Sequence, residues 1–481
     1  MPYAGSVAHP FDRYADITDV ALLKEATDRP LRKCVRINGL KTSVEKFRAY
    51  ADQKKWNLTP VPWCEEGFFI DREDFSKALG RDVLHLLGHF YMQEASSMLP
   101  AAMLQAKPDE SILDLCAAPG SKTTQIASAM QGRGVLVAND VQEKRLWTLK
   151  SALQRSGVSH AIVMKKVGQW YAKQMTERFD RVLCDAPCTA QGTARKDSDA
   201  LKYGGDESVG KMSRVQQELL EAALHALKVG GRLIYSTCTL TPEENEGVVS
   251  WLLQRYEGRV KVLDPRTLGI GPAGLFDKAI ADSELVQKKW NVGPGNLPLL
   301  RLWPQTYDTE GFFCAVFEKT ATTRAPEPVE TVPFRIMPLP TGRQERFAKD
   351  FEEDFGSSFL RPNELLLEGG NQLMLTTEAV WNFPMPGPVD SLGLPWAKRV
   401  EEHRARIVQE MVSLRGTEAT KNVVEVTDEQ LEQLLDGKDM DAPEGVAGDV
   451  ILRWNGVSLG TGVISKGRLL NRLSRWVVQR S

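Results

Sequence analysis

No apolar run in the 481-residue chain approaches the roughly 20 residues that cross a bilayer. The opening segment MPYAGSVAHPFDRY lacks a basic stretch followed by an apolar one. A cytoplasmic protein with no membrane partner is therefore expected. Cysteine is sparse: seven thiols, an odd number without framework spacing, exclude a disulfide scaffold. Cys184 and Cys188 have no second ligand pair at finger spacing, so no metal centre is expected. Net charge is only −2, which argues against a protein that coats nucleic acid indiscriminately. Also missing is the GxGxxG fingerprint of dinucleotide-binding folds.

The charge that is there is segregated. Nine Lys/Arg fall between Arg29 and Lys55 against Glu45 and Asp52, and six fall between Ile451 and Ser481 with no acid. Basic ends on a near-neutral chain predict local phosphate-binding surfaces, although each alone also suits a solvated face. At this length about two to four domains are expected. Within residues 1–105, the runs CVRINGL, NLTPVPW and GFFI accompany SVEKFRAYADQKKW, whose Val44, Phe47 and Tyr50 recur at helical spacing. This predicts a small α+β module.

Residues 106–320 alternate strand and helix. The strands are SILDLCA, GVLVAND, AIVMKK, RVLCDAP and GRLIYSTCT; a long helix spans Ser213 to Leu227, and the runs RLWPQTY and GFFCAVFEK complete the sheet edge. Such alternation makes an α/β, doubly wound, mainly parallel sheet. The Pro/Thr/Glu-rich stretch 318–333 reads as a linker. A mixed module follows over 334–400, with a helix beginning near Pro395. Residues 401–481 end in DVILRWNGVSLGTGVISKGRLL, where Asn-Gly and Gly-Thr-Gly turns suggest a small barrel.

In the first βα unit, Cys116-Ala117-Ala118-Pro119-Gly120-Ser121-Lys122 follows a strand and opens a helix. Small residues let backbone amides approach a ligand, and the helix N-terminus favours negative charge. With one glycine and a proline, this turn suits the carboxypropyl tail of S-adenosylmethionine better than a pyrophosphate. Asp140 closes the next strand, where an acid accepts ribose hydroxyls; capping of the following helix is the alternative.

Cys188 and Cys238 end two further strands, which places both thiols on the ligand crevice. Cys116, Cys184 and Cys314 read instead as small buried hydrophobes. Where an exocyclic-amine methyltransferase would carry an aromatic residue, Asp185-Ala-Pro-Cys188 carries a thiol. Cytosine C5 is too weak a nucleophile to take a methyl group directly, and addition of a thiolate to C6 makes it enamine-like. Asp185 could hydrogen-bond the cytosine amino edge, and N3 when protonated, with Lys122 balancing its charge.

The stretches DLCAAPGSKT, DAPCTAQGTARKD (185–197) and YSTCTLTPEENE (235–246) resemble the motifs of the NOL1/NOP2/Sun RNA cytosine-5 methyltransferases. PLRKCVRINGLKTS (30–43), PWCEEGFFI (62–70), FYMQEASSMLP (90–100) and RKDSDAL (195–201) are similar to its bacterial 16S ribosomal RNA branch. The resemblance implies a Rossmann-like S-adenosylmethionine-dependent core, a ferredoxin-like RNA-binding module before it and PUA-like RNA-binding modules after it. It implies that Cys238 attacks C6, that Cys188 assists release, and that the Cys116–Lys122 loop, Asp140 and Asp185 contact the cofactor. Val167 stands where the family usually places an aspartate near the adenine; Gln169 or a backbone amide would then replace that contact. A monomer acting on 16S ribosomal RNA is expected. The alternatives are another structured RNA such as tRNA, a DNA cytosine-5 methyltransferase using Cys188, and a noncatalytic ribosome-assembly binder.

Overall fold

The structure, a computed structural model, describes residues 9–74, 78–203, 205–402 and 404–478. Arg480, one of the C-terminal basic residues, lies outside them. The first module contains α1 (Val20–Asp28), β1 (Cys34–Ile37), α2 (Val44–Gln53), β2 (Trp56–Val61), β3 (Cys64–Arg72), α3 (Val83–Leu86) and β4 (Phe90–Met92). Its antiparallel sheet has the order β2-β3-β1-β4, which with one helix in each crossover is the ferredoxin-like arrangement. Ser43 caps α2 by accepting from the Lys46 amide at 3.3 Å, and Phe47 and Tyr50 of α2 are buried in the core formed with this sheet. Residues ahead of the sheet pack elsewhere: Phe11, Tyr14, Ile17 and Leu23 sit against Leu240, Val286 and Trp303.

The central region starts with α4 (Ala95–Leu104), β5 (Ser111–Asp114), α5 (Ser121–Ala129), β6 (Val135–Asn139), α6 (Glu143–Ser156), β7 (Ala161–Met164) and α7 (Gly168–Gln174). It continues through β8 (Phe179–Asp185), α8 (Asp206–Ala226), β9 (Leu227–Thr237), α9 (Glu246–Arg255), β10 (Val260–Val262), α10 (Asp277–Lys289), β11 (Leu300–Leu302), α11 (Pro304–Tyr307) and β12 (Phe312–Lys319). Strands β7-β6-β5-β8-β9 are parallel neighbours, and β12 runs antiparallel beside β9. Every residue of β6 and β7 is buried, the signature of a sheet covered on both faces. The long helix begins earlier than its pattern suggests, at Asp206, where two acids suit the helix N-terminus. Of RLWPQTY only Arg301 and Leu302 are strand, because Pro304 opens a short helix.

Beyond the linker come β13 (Met337–Pro338), α12 (Thr341–Phe355), β14 (Glu364–Gly369), β15 (Gln372–Thr377), α13 (Glu378–Trp381), β16 (Ser391–Leu392), β17 (Leu394–Glu401), β18 (Arg404–Ile407) and α14 (Gln409–Arg415). The expected helix near Pro395 is instead the hairpin β17/β18. Trp396 is fully buried, and Arg399 reaches across the sheet to Glu368, so the charges serve a strand's solvent side. β16 leaves this module and pairs with β7, extending the central sheet.

The last sheet contains β19 (Val423–Glu425), β20 (Met440–Asp441), β21 (Gly448–Trp454), β22 (Val457–Ser465) and β23 (Arg468–Asn471), with α15 (Asp428–Leu435). Asn455-Gly456 turns the chain as expected, both residues having positive φ. Gly460-Thr461-Gly462 does not: it lies inside β22, where a Cβ on Gly460 would come within 2.2 Å of Gln409 Oε1. Gly460 serves close packing against α14, while Gly462 faces Leu469, Val450 and Leu452 of the same sheet. The two end modules share one core, in which Tyr50 meets Trp454 edge-on at 6.4 Å.

Candidate active site

The strand order reverses between β5 and β8, and in an open α/β sheet the crevice outside that switch point receives ligands. Both expected sites converge there. After β5 the chain makes the loop 115–120, whose shape is fixed from several directions. The Leu115 amide donates to Leu183 O at 2.9 Å, and the Ala117 amide to Asn139 O at 2.7 Å. Asn139 Nδ2 donates to Leu115 O at 2.9 Å and to Lys166 O at 3.0 Å, stapling this loop to the one after β7. Gly120 precedes α5 with φ 110°, and a Cβ there would stand 3.0 Å from Ala152 Cβ. Only glycine suits that position.

Arg36, counted by sequence among the basic surface residues, is buried from β1 beneath this loop. It donates to Ser121 O at 2.7 Å, to Thr124 Oγ1 at 2.9 Å and to Gln93 Oε1. It thus anchors the first turn of α5 and contributes nothing to a phosphate-binding face.

The loop offers a ligand the N-terminus of α5, the Asp140 carboxylate and one residue that sequence reasoning passed over. Asp114, at the end of β5, is 1% exposed; Thr123 Oγ1 donates to its Oδ2 at 2.7 Å, while its Oδ1 has no partner among the described residues. Burial pushes this carboxyl up to about 7. An acceptor with unmet capacity beneath a helix N-terminus suits an amino-acid tail that carries both an ammonium and a carboxylate. Asp140 is also buried; it accepts from the amides of Ala118 (3.3 Å) and Gln142 (2.9 Å) and pairs with Arg145 at 3.4 Å. It therefore braces the start of α6 as well. The Cys116 thiol is paired with that of Cys184, which pushes it up, so this residue can serve a ligand only through its backbone. Val167 is 56% exposed, and the Gln169 side chain donates to Glu218 at 2.6 Å.

The ends of β8 and β9 bring the thiols together. Cys188 Sγ lies 3.3 Å from Cys238 Sγ. Asp185 accepts from Ser236 Oγ at 2.7 Å and pairs with Lys122 Nζ at 2.7 Å. Burial works against the Lys122 charge, but the Asp185 carboxylate outweighs it and holds the ammonium protonated beside the sulfurs. The hydrogen bond to Cys238, then burial, push the Cys188 thiol well up, which favours its protonated form.

What holds the sulfurs in place lies in PEENE, 242–246. Glu244, 0% exposed, accepts from the Thr189 amide at 3.0 Å, from Thr241 Oγ1 at 2.7 Å, from Gln216 Nε2 at 2.8 Å and from the Thr189 hydroxyl. Gln216 also donates to Pro187 O at 2.8 Å. One carboxylate thus ties the turn after Cys188 to the turn after Cys238. Asn245 accepts from Thr237 Oγ1 and donates to Thr239 O, while Glu246 forms a fully buried pair with Arg301, which donates to Leu240 O at 2.7 Å. Gly192 completes the closure: its amide donates to Cys238 O at 2.9 Å, and a Cβ would come within 2.7 Å of that oxygen.

Comparison with known proteins gives the family and the fold. The family described as 16S rRNA methyltransferase RsmB/F matches residues 101–318, the N-terminal domain of 16S rRNA methyltransferase RsmF matches 15–95, and the methyltransferase RsmF PUA domain matches 421–479. Ribosomal RNA small subunit methyltransferase F of Aeromonas hydrophila is 38% identical over 470 residues, covering 94% of this chain and 92% of the relative. Its Vibrio cholerae counterpart is 36% identical over 483 residues, covering 96% and 95%. A crystal structure of a methyltransferase homolog from Pyrococcus horikoshii aligns with TM-score 0.54 and 35% identity over 64% of this chain and 93% of that one. NSun6 from the same organism, at TM-score 0.54, 22% identity and coverage of 65% and 98%, shares the fold.

Proposed function

The chain belongs to the RsmB/F family of 16S ribosomal RNA methyltransferases, and from that premise we propose that it methylates C5 of a cytosine through a transient bond between Cys238 and C6. The methyl donor is S-adenosylmethionine, which when bound supplies an electrophilic methyl group beside the crevice. The residues that fit it are the Cys116–Lys122 loop, Asp114 and Asp140, with Asp185 at the boundary between donor and base.

The observation that carries the proposal is the 3.3 Å contact of two sulfurs at neighbouring strand ends. A thiolate is needed at one of them, and a thiol that can donate a hydrogen bond or a proton at the other. The half-buried Cys188, whose thiol form is favoured, suits the second role, leaving Cys238, beside the Lys122 ammonium, as nucleophile. Addition of the Cys238 thiolate to C6 moves the ring π electrons toward C5, which then takes the methyl group. Loss of the C5 proton to a base restores the C5–C6 double bond and expels Cys238 as thiolate. Asp185, ion-paired to Lys122, is an acceptor for the cytosine amino group as C6 is attacked. Attack thus falls to Cys238, and Cys188, in contact with it, is assigned to assist its release.

The proposed setting is the cytoplasm, with the chain acting as a monomer on small-subunit ribosomal RNA and not on DNA. The test is to offer unmodified 16S ribosomal RNA with the methyl donor to two variants. Cys238→Ser is expected to abolish methyl transfer and form no adduct. Cys188→Ser is expected to accumulate an RNA–protein complex that survives denaturing electrophoresis. An adduct formed only by Cys238→Ser would reverse the roles, and efficient methylation of DNA would overturn the substrate.

A further inference from the structure

A pocket of about 280 Å³ lies between β4, α6, α14 and the segment following β23, apart from the thiols. Three regions of the chain wall it: Tyr91 of β4, Ser151, Gln154 and Arg155 of α6, and Glu410 and Trp476 from the C-terminal part. Trp476 is 38% exposed. Ser151, Gln154 and Arg155 share a helical face with Trp147, four residues before Ser151 and 67% exposed, whose ring has the Lys150 ammonium 4.2 Å from its centre. Two exposed tryptophans, one of them with a cation over its ring, are costly as mere surface and useful as stacking platforms.

Groups in the wall and on the neighbouring segments narrow the occupant. The guanidinium of Arg155 lies 5.5 Å from the Tyr91 ring centre, and that of Arg36 also lies 5.5 Å from it. Since Arg36 also holds Ser121, the pocket wall is mechanically continuous with the cofactor loop. Arg472 and Arg475 are exposed on the segment that carries Trp476. This positive, aromatic rim suits a nucleotide. The Glu410 carboxylate inside repels phosphate but accepts from an amino group, which adenine, cytosine and guanine carry and uracil lacks.

We propose that this pocket is a nucleobase subsite for the RNA substrate, taking one unpaired, amino-bearing base outside the reacting cytosine, stacked on Trp476 with its amino edge toward Glu410. The proposal rests on the ribosomal RNA methyltransferase reading and deepens it. The base would fix the register of the RNA across all three regions of the protein while the cytosine enters the crevice.

The test measures equilibrium binding of unmodified 16S ribosomal RNA to the full chain, alongside methyl transfer to the same RNA. Loss of one base–aromatic stack weakens binding by roughly 5- to 150-fold, so Trp476→Ala is expected to raise Kd about tenfold. Trp476→Phe should stay within about threefold, and the slope of log Kd against log salt should not change, because no phosphate contact is removed. Trp147→Ala, at a position too exposed to disturb folding, should weaken binding less. Affinity of Trp476→Ala within twofold of the unsubstituted chain would overturn the subsite. So would an equal loss of S-adenosylmethionine affinity, which would mark Trp476 as a packing residue. An unsubstituted chain that binds this RNA but does not methylate it would overturn the functional reading alone, and one that does not bind it would overturn both.

Discussion

The two halves of the crevice are built on different principles. On the thiol side, after β8 and β9, the protein's own hydrogen bonds fix the geometry: Glu244 receives donors from both cysteine-bearing turns and from α8, and Asn245 and the Glu246–Arg301 pair hold the neighbouring backbone. On the cofactor side, after β5 and β6, the loop is braced at its rim by Asn139 and Arg36, but Asp114 keeps an acceptor without a partner among the described residues. A sulfur that must reach C6 gains from a position set before substrate arrives. A loop that must close around a charged ligand gains from polar capacity that only the ligand meets. The difference teaches that substitutions on the two sides should damage different kinetic constants.

The sharpest way to break that division is Glu244→Ala. It strips the acceptor from several buried donors at once and frees both turns. Misplacement by about 1 Å can cost about 100-fold in rate, so kcat is expected to fall by at least that factor, while the Kd for S-adenosylmethionine, measured by calorimetry, stays within about twofold. Comparable losses in both constants would erase the distinction. The converse substitution is Gly120→Ala, which places a Cβ 3.0 Å from Ala152 on a backbone with φ 110°. It is expected to raise that Kd about tenfold, with a folding cost of about 1–3 kcal/mol. The alkylation rate of Cys238, followed by peptide mass mapping, should be unchanged; a slowed rate would show that the halves are coupled.

Legibility in the sequence followed the same line. The parallel strands and both strand-end thiols were readable because fully buried strands and strand–turn–helix alternation are local patterns. Glu244 stood inside a quoted motif, yet its partners Thr189 and Gln216 lie 55 and 28 residues away, so only the fold could reveal its role. Asp114 was within reach, being an acid closing a buried strand. Arg36 misled, because counting charges ignores that β1 is buried along its whole length. The hairpin β17/β18 misled for another reason: its charges follow four buried residues and alternate sides of a sheet, a period that a short charged stretch does not separate from that of a helix.

The smallest expected effect lies at the edge of this comparison, at Glu310. Burial, and then the Glu94 carboxylate, push it up to about 7 from its ordinary 4.5. Between those two values the native protein holds a proton that the unfolded chain releases. Folding stability from this group is therefore greatest below about pH 4.5 and declines as pH rises toward 7. Glu310→Gln removes the ionisation while keeping the side chain's size. Relative to the unsubstituted protein, it should gain about 1–3 kcal/mol in urea unfolding as pH rises from 5 to 8, with nearly all the gain below pH 7.5. A constant difference across that range would mean that Glu310 titrates alike in both states. Its closeness to Glu94 would then be balanced by Lys122 and Lys196, and the boundary between the halves of the crevice would carry no stored charge.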